Sequence, residues 1–403
     1  MKKTLIAFAA LSAIAGMAQA QSSVTLYGLV DANLTSLKTN VVVGASAATP
    51  TAAAVPGSVQ SITQTKIDQA GLNGSRWGMR IREDLGGGMA AVANLESGFA
   101  LDTGASSQGG LLFGRRANVG LATGFGTVTI GRNSSSYDDV SADHTMMGAT
   151  IFDPSNNNNG NSAATAASLG QTSLAGVAAN AIFLSKAGNQ TATWVGFNTR
   201  FNNSIKYVSP NFSGFSGSAM YAFGEDKTLA VGASRTVSAN LKYANGPLLI
   251  SGGYQTEGGT RTATTKPALE NTLLSVVYDL GVAKIGAGFN RAKYKDVVLV
   301  GATNGLGLAG SAIDAQKEVS LSVSVPLGAT TLSAGVAQSK GDTLGKSTGA
   351  GIQALYALSK RTTLYTGVAS SKTYDRLAAV TVTAPASNIG RNTQYALGVR
   401  HTF

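Results

Sequence analysis

Nine residues at the C-terminal end, Tyr395-Ala-Leu-Gly-Val-Arg-His-Thr-Phe403, constrain the fold of this chain most. Tyr395, Leu397, Val399, His401 and Phe403 share one parity. Side chains alternate across a strand, so these five face one way. The face is mostly apolar and runs to an aromatic last residue. A closed membrane barrel can end so, because its final strand pairs with its first and leaves no edge. The alternative from this stretch alone is a buried C-terminal strand of a soluble protein.

The other end narrows the choice. Lys2 and Lys3 form a short basic region, Leu5 to Ala15 is an apolar run, and Met17-Ala-Gln-Ala20 fits a small-x-small cleavage site. These features predict a secretory leader over 1–20 and a mature unit over 21–403. Cysteine is absent, which excludes a disulfide framework and a thiolate metal site. Past the leader no stretch approaches the roughly 20 apolar residues of a spanning helix. The 50 glycines against 8 prolines, with abundant Ser, Thr, Ala and Asn, suit many strands and turns. The net charge is +11, falling to +9 when Lys2 and Lys3 leave with the leader. The basic residues are dispersed, without a run of five, so no nucleic-acid tail is expected.

Segments of alternating polarity then recur through the mature chain. They begin with Val24 to Asp31, Leu72 to Arg82, Met89 to Phe99 and Leu112 to Leu121, and end with Asn392 to Phe403. In all they predict about 16 strands, within the range of membrane barrels. Tight turns such as Thr123-Gly-Phe-Gly126 alternate with long polar connections. The long ones are Thr35 to Gln69, Asn133 to Gln190, Glu257 to Glu270, Asp296 to Ala315 and Lys372 to Arg391. Such alternation forces an even strand number and puts both termini on the short-turn side, as in bacterial outer-membrane barrels. In Glu318-Val-Ser-Leu-Ser-Val-Ser-Val325 the polar face would line an aqueous lumen or, in a sandwich, meet outside water. Patterning does not separate these two. The leader, the strand count and Phe403 together favour the all-β barrel.

Several stretches carry a resemblance. They are Val24-Thr-Leu-Tyr-Gly28, Ser75-Arg-Trp-Gly-Met-Arg80 with Glu83-Asp-Leu-Gly-Gly-Gly88, and Ala93-Asn-Leu-Glu96. Phe113-Gly-Arg-Arg-Ala-Asn-Val-Gly-Leu121, Phe125-Gly-Thr-Val-Thr-Ile-Gly-Arg132 and Asn203-Ser-Ile-Lys-Tyr-Val-Ser-Pro210 join them. With Phe403, the set resembles the general porins of Gram-negative outer membranes, in the branch common among β-proteobacteria. The resemblance covers the mature chain. It implies a homotrimer of 16-stranded barrels in outer-membrane lipid that passes small hydrophilic solutes passively. It also implies that the third long loop, Asn133 to about Gln190, folds into the lumen, with Phe152-Asp-Pro154 as its tip motif. The stretch Asn156 to Ala181 is longer and richer in Asn, Ala and Ser than that pattern. Tyr395 and Phe403 would be read by the barrel-assembly machinery.

Parity assigns the basic residues. Trp77, Met79 and Ile81 face lipid, which turns Arg76, Arg80 and Arg82 into the lumen. Val119 and Leu121 turn Arg116 inward, while parity leaves Arg115 unplaced. Ile205 and Tyr207 turn Lys206 inward, and Arg200 shares its parity. The family carries a basic cluster at its constriction, and Arg76, Arg116 and Arg200 match it best. Arginine stays charged and offers a planar fork to carboxylate or phosphate, so such a ring concentrates anions. Asp138, Asp139, Asp143 and Asp153 on the loop would form the opposing wall of a transverse field. Alternatively, the arginines pair with these aspartates and fix the loop.

Other signals are discounted. Gly305-Leu-Gly-Leu-Ala-Gly310 matches a dinucleotide fingerprint but leads into a strand rather than a helix. His144 and His401 are the only histidines and lie far apart, so no metal site is expected. No nucleophile motif has a histidine base beside it. No cofactor is expected. The function expected is an anion-preferring diffusion channel. Rivals are a channel for one solute class, such as organic anions or phosphate, an outer-membrane barrel enzyme, or an adhesin with a closed lumen.

Overall fold

The computed structural model describes residues 22–43, 51, 58–156, 191–194, 196–229, 232–259, 266, 268–295, 315–341, 345–372 and 390–403. The expected leader, most of Asn156 to Ala181 and the Gly305 to Gly310 stretch lie outside these. Seventeen strand segments make up one sheet. They are β1 (Ser23–Val43), β2 (Ser58–Gln69), β3 (Arg76–Gly86), β4 (Met89–Gly98), β5 (Arg116–Thr123) and β6 (Gly126–Ser134). Then come β7 (Arg200–Val208), β8 (Phe215–Phe223), β9 (Arg235–Asn245), β10 (Leu248–Gly258), β11 (Ala268–Asp279) and β12 (Lys284–Lys295). β13 (Ala315–Leu327), β14 (Thr330–Gly341), β15 (Gly345–Ala357), β16 (Thr362–Lys372) and β17 (Arg391–Thr402) complete it.

Every neighbouring pair is antiparallel. β2 and β3 occupy a single place in the wall. β2 pairs with β1 from Ala32 to Val43, and β3 pairs with β1 from Ser23 to Leu29. The six residues between them, Ala70 to Ser75, form an inward break rather than a connection. The wall is therefore a 16-stranded barrel. It closes where β1 pairs with β17, from Leu29 opposite Thr402 to Lys38 opposite Thr393. Gly28 and Phe403 exchange both backbone hydrogen bonds at 3.0 Å, so pairing reaches the last residue.

The side chains decide between barrel and sandwich. On β13, Leu321 is 54% exposed while Glu318, of opposite parity, is fully buried. On β17, Tyr395 and Leu397 stand outward at 57% and 60%, and Asn392 is buried. Apolar outside and polar inside inverts a water-soluble protein. A continuous apolar exterior of this kind is covered by lipid.

One expected connection is corrected. Thr35 to Gln69 is mostly a ladder, since β1 runs to Val43 and β2 begins at Ser58. Their few apolar residues, such as Leu37, Ile62 and Ile67, are too irregularly spaced for an alternation argument, yet the threonines and valines favour extended backbone. A smaller correction falls at Leu112, where a strand was expected. β5 starts at Arg116, and Leu112 to Arg115 belongs to the loop before it.

Candidate functional site

The connection from β6 to β7 lies within the barrel. Its described parts, 135–156, 191–194 and 196–199, sit against the inward faces of successive strands. Tyr137 N donates to Ser238 Oγ on β9 at 2.8 Å, and its hydroxyl donates to Asn290 Oδ1 on β12 at 2.9 Å. Met146 N donates to Ser322 Oγ on β13 at 2.9 Å. Gln353 on β15 accepts from Thr150 Oγ1 at 2.6 Å and donates to the Met147 carbonyl at 3.1 Å. Ile151 N then reaches the Gly71 carbonyl, in the break between β2 and β3, at 3.0 Å.

Glycine lets the loop lie this close. A Cβ on Gly288 would come 2.6 Å from His144 Cβ, and one on Gly367 would come 2.8 Å from the Phe152 ring. A side chain at Gly351 would overlap the Phe152 carbonyl. The loop is also packed internally. Tyr137 meets Phe197 edge-on at 4.6 Å, and His144 stacks on Trp194 at 4.6 Å.

The cations gather on the other side, from β3 to β9. Arg80 lies 4.0 Å over the Tyr27 ring. The Tyr27 hydroxyl donates to Glu96 Oε2 at 2.8 Å, and Arg115 Nε donates to Glu96 Oε1 at 2.6 Å. Arg116 is the register partner of Glu96 and reaches Ser134 Oγ at 3.4 Å. Lys206 Nζ pairs with Asp139 at 2.7 Å and donates to the Ser134 carbonyl at 3.0 Å. Lys242 Nζ pairs with Asp143 at 2.8 Å. Arg80, Arg82, Arg116, Lys206, Lys242 and Asp139 line a cavity of about 560 Å³.

The expected site residues divide accordingly. Arg80, Arg116 and Lys206 share the cavity. Arg76 and Arg200 do not line it. Arg200 Nη1 binds Thr199 Oγ1 at 2.8 Å, beneath the loop. Asp139 and Asp143 are drawn onto lysines of the basic side instead of facing it across the lumen. Asp138 is half-buried, and loss of water around its carboxyl pushes it above the usual range against the pull of Arg200. Asp153 is a turn residue. Its Oδ1 accepts from Ser155 N at 2.9 Å and Ser155 Oγ at 2.7 Å, and burial raises its carboxyl too. Asp153 is thus taken up by donors within the loop and Asp139 and Asp143 by lysines of the wall, so these carboxylates do not stand free as an acidic wall. Asp139 and Asp143 pair with Lys206 and Lys242, and Asp138 lies in the field of Arg200. Tyr27, Glu96, Arg115 and Lys242 were not among the expected residues. Lys242 was accessible to parity, since Val237 and Leu241 on the same strand face out.

His144, Ser155 and Asp153 do meet, with Nε2 3.1 Å from Ser155 Oγ. Ser155 Oγ lies 2.7 Å from Asp153 Oδ1 as well, and all three residues are buried in the packed loop.

Comparison with known proteins agrees with the architecture. Residues 7–376 match the family profile described as Gram-negative porin. The chain belongs to the Gram-negative porin family. Outer membrane porin protein 32 of Delftia acidovorans is 32% identical to this porin over 301 residues, 73% of this chain and 71% of that one. An outer membrane porin protein of Bordetella pertussis is 33% identical over 63% of this chain and 59% of its own. Among solved structures, the anion-selective porin from Comamonas acidovorans superposes with a TM-score of 0.65 at 25% identity. That match covers 95% of this porin and all of the other. This porin is thus a passive channel of the Gram-negative outer membrane for ions and small solutes.

Proposed function

We propose that the channel prefers anions and that its narrowest passage runs between the docked loop and the β3–β9 side. One observation carries this reading. Among the described residues, Arg80, Arg82, Arg116, Lys206 and Lys242 face one cavity with a single carboxylate, Asp139, which Lys206 already neutralises. Fields from several cations add where the lumen is confined and screening by water is weakest. The solved relative named as anion-selective supports the same reading. The test is a reversal potential in a potassium chloride gradient. Arg80→Gln with Arg116→Gln should cut the chloride preference by roughly half or more, most clearly at low salt. An unchanged reversal potential through an open pore would reject this assignment.

We infer a homotrimer as well, after removal of a leader over 1–20 that leaves 21–403. Family membership supports it, and so do Leu111 and Leu112, exposed on the loop between β4 and β5 and available to a neighbouring copy. Tyr395 and Phe403 stand outward on the closing strand, where the barrel-assembly machinery would meet them. A heat-labile trimer band in mild detergent, and lower surface levels after deletion of Phe403, are the expected results.

A further inference from the structure

Past β15 and β16 the loop tip also reaches the break between β2 and β3, where Ile151 N meets the Gly71 carbonyl, and one buried carboxylate holds that break. Asp31 on β1 is fully buried and faces inward. Its Oδ2 accepts from Leu72 N at 2.9 Å and Asn73 N at 2.8 Å, and its Oδ1 accepts from Gly71 N at 3.2 Å. The Tyr365 hydroxyl, from β16, donates to the same Oδ1. Asp31 N donates to Ser75 Oγ at 3.0 Å, and the Asp31 carbonyl accepts from Ala70 N at 3.3 Å. Three successive backbone N–H groups form a nest for an anion, and the carboxylate is that anion. Arg400 on β17 adds a bond to Asn73 Oδ1 at 2.9 Å.

The consequences reach the loop directly. The break carries Leu72 into a buried cluster with Met147, Phe152 and Tyr365. Phe152 meets the Tyr365 ring edge-on at 6.3 Å. The Gly71 carbonyl receives Ile151 N. Asp31 and Tyr365 therefore fix one part of the wall that the loop tip grips, although neither lines the cavity.

We propose that Asp31 and Tyr365 form a latch that sets how far the loop extends across the lumen, and hence the size of solute that passes. They are positioning residues for diffusion, and the proposal rests on the channel reading above. Asp31→Asn turns an all-acceptor group into one whose NH2 faces backbone donors. Tyr365→Phe removes one donor and keeps the ring. In planar bilayers each variant should raise single-channel conductance by roughly 1.5-fold, because conductance follows the narrowest section. Each should also admit larger polyethylene glycols and leave the reversal potential unchanged, since no cavity charge is altered. A heat-modifiable gel shift equal to that of the unaltered protein establishes that the barrel is folded. Tyr365→Phe keeps the test decisive if Asp31→Asn does not assemble. Folded variants with unaltered conductance and unaltered size limit would overturn the latch. Absence of conductance in the unsubstituted protein would overturn the channel reading instead.

Discussion

Two sides of one barrel wall receive the same loop by different means. From β10 to β16 the loop meets glycines and short polar side chains: Asn290, Ser322, Gln353, Gly288, Gly351 and Gly367. From β3 to β9 it meets long cations, Lys206 and Lys242, that reach out to its aspartates. A missing side chain lets two backbones approach, and the result is a dry contact with no room beside it. A long side chain holds its partner at arm's length and leaves space around its stem. The cavity accordingly opens on the cationic side. The charge at the proposed passage thus depends on where the wall lacks side chains as well as on where it has arginines.

The largest effect should come from filling the dry side. Gly351→Val would put a branched side chain where the Phe152 carbonyl now lies. Overpacking of this kind costs about 1–3 kcal/mol and more when backbone must move. The loop should leave its bed, and Trp194, now fully buried, should shift its fluorescence to the red. Trp77 is the only other tryptophan in the chain and lies on the outer face, where it stays unaffected. An unshifted spectrum would mean that the loop does not need this glycine.

Acid should act on the same bed. Burial lowers the His144 pKa from 6.5 to about 4. Between those values a released loop binds a proton that the docked loop refuses, so docking weakens as pH falls from about 6.5 to about 4 and then levels off. The ceiling is about 3 kcal/mol. Asp153 works the other way, because its raised carboxyl favours the protonated docked form at low pH. The two nearby groups therefore partly cancel. Trp194 fluorescence followed against pH should show the loss, and His144→Gln should remove the histidine part of it. A flat profile in the unsubstituted chain would separate the stacked ring from loop stability.

Much of this was legible in the chain. Parity along β3, β5, β7 and β17 told inside from outside, because one face of each strand is apolar enough to require lipid. The inward placement of Arg80, Arg116 and Lys206 followed from it. The β1–β2 hairpin was hidden because Lys38 to Asn40 is wholly polar and Ile62 is the single apolar residue from Gln60 to Lys66. The role of Asp31 was hidden for another reason. A lone aspartate in a strand gives no local sign that three amides some 40 residues away will close on it. The fate of the loop aspartates was hidden likewise, since parity does not extend into irregular backbone.

The smallest effect concerns the two lysines, which look equivalent in sequence and differ in burial. Lys206 is 8% exposed and also donates to the Ser134 carbonyl, whereas Lys242 is 30% exposed. Lys206→Met takes the ammonium from the buried Ser134 carbonyl, at a cost of about 1–3 kcal/mol for a buried group that loses its partner, while Asp139 keeps the Ser218 hydroxyl. Lys242→Met breaks a pair that water already screens, worth about 0.2–1 kcal/mol. Salt separates them further. At 1 M the screening length falls to about 3 Å, so the Lys242 contribution should vanish while most of the Lys206 contribution persists. Thermal release of the loop, read from Trp194 in low and high salt, measures both. If the variants respond to salt alike, the cationic side holds the loop by charge alone, and the distinction between reach and burial fails there.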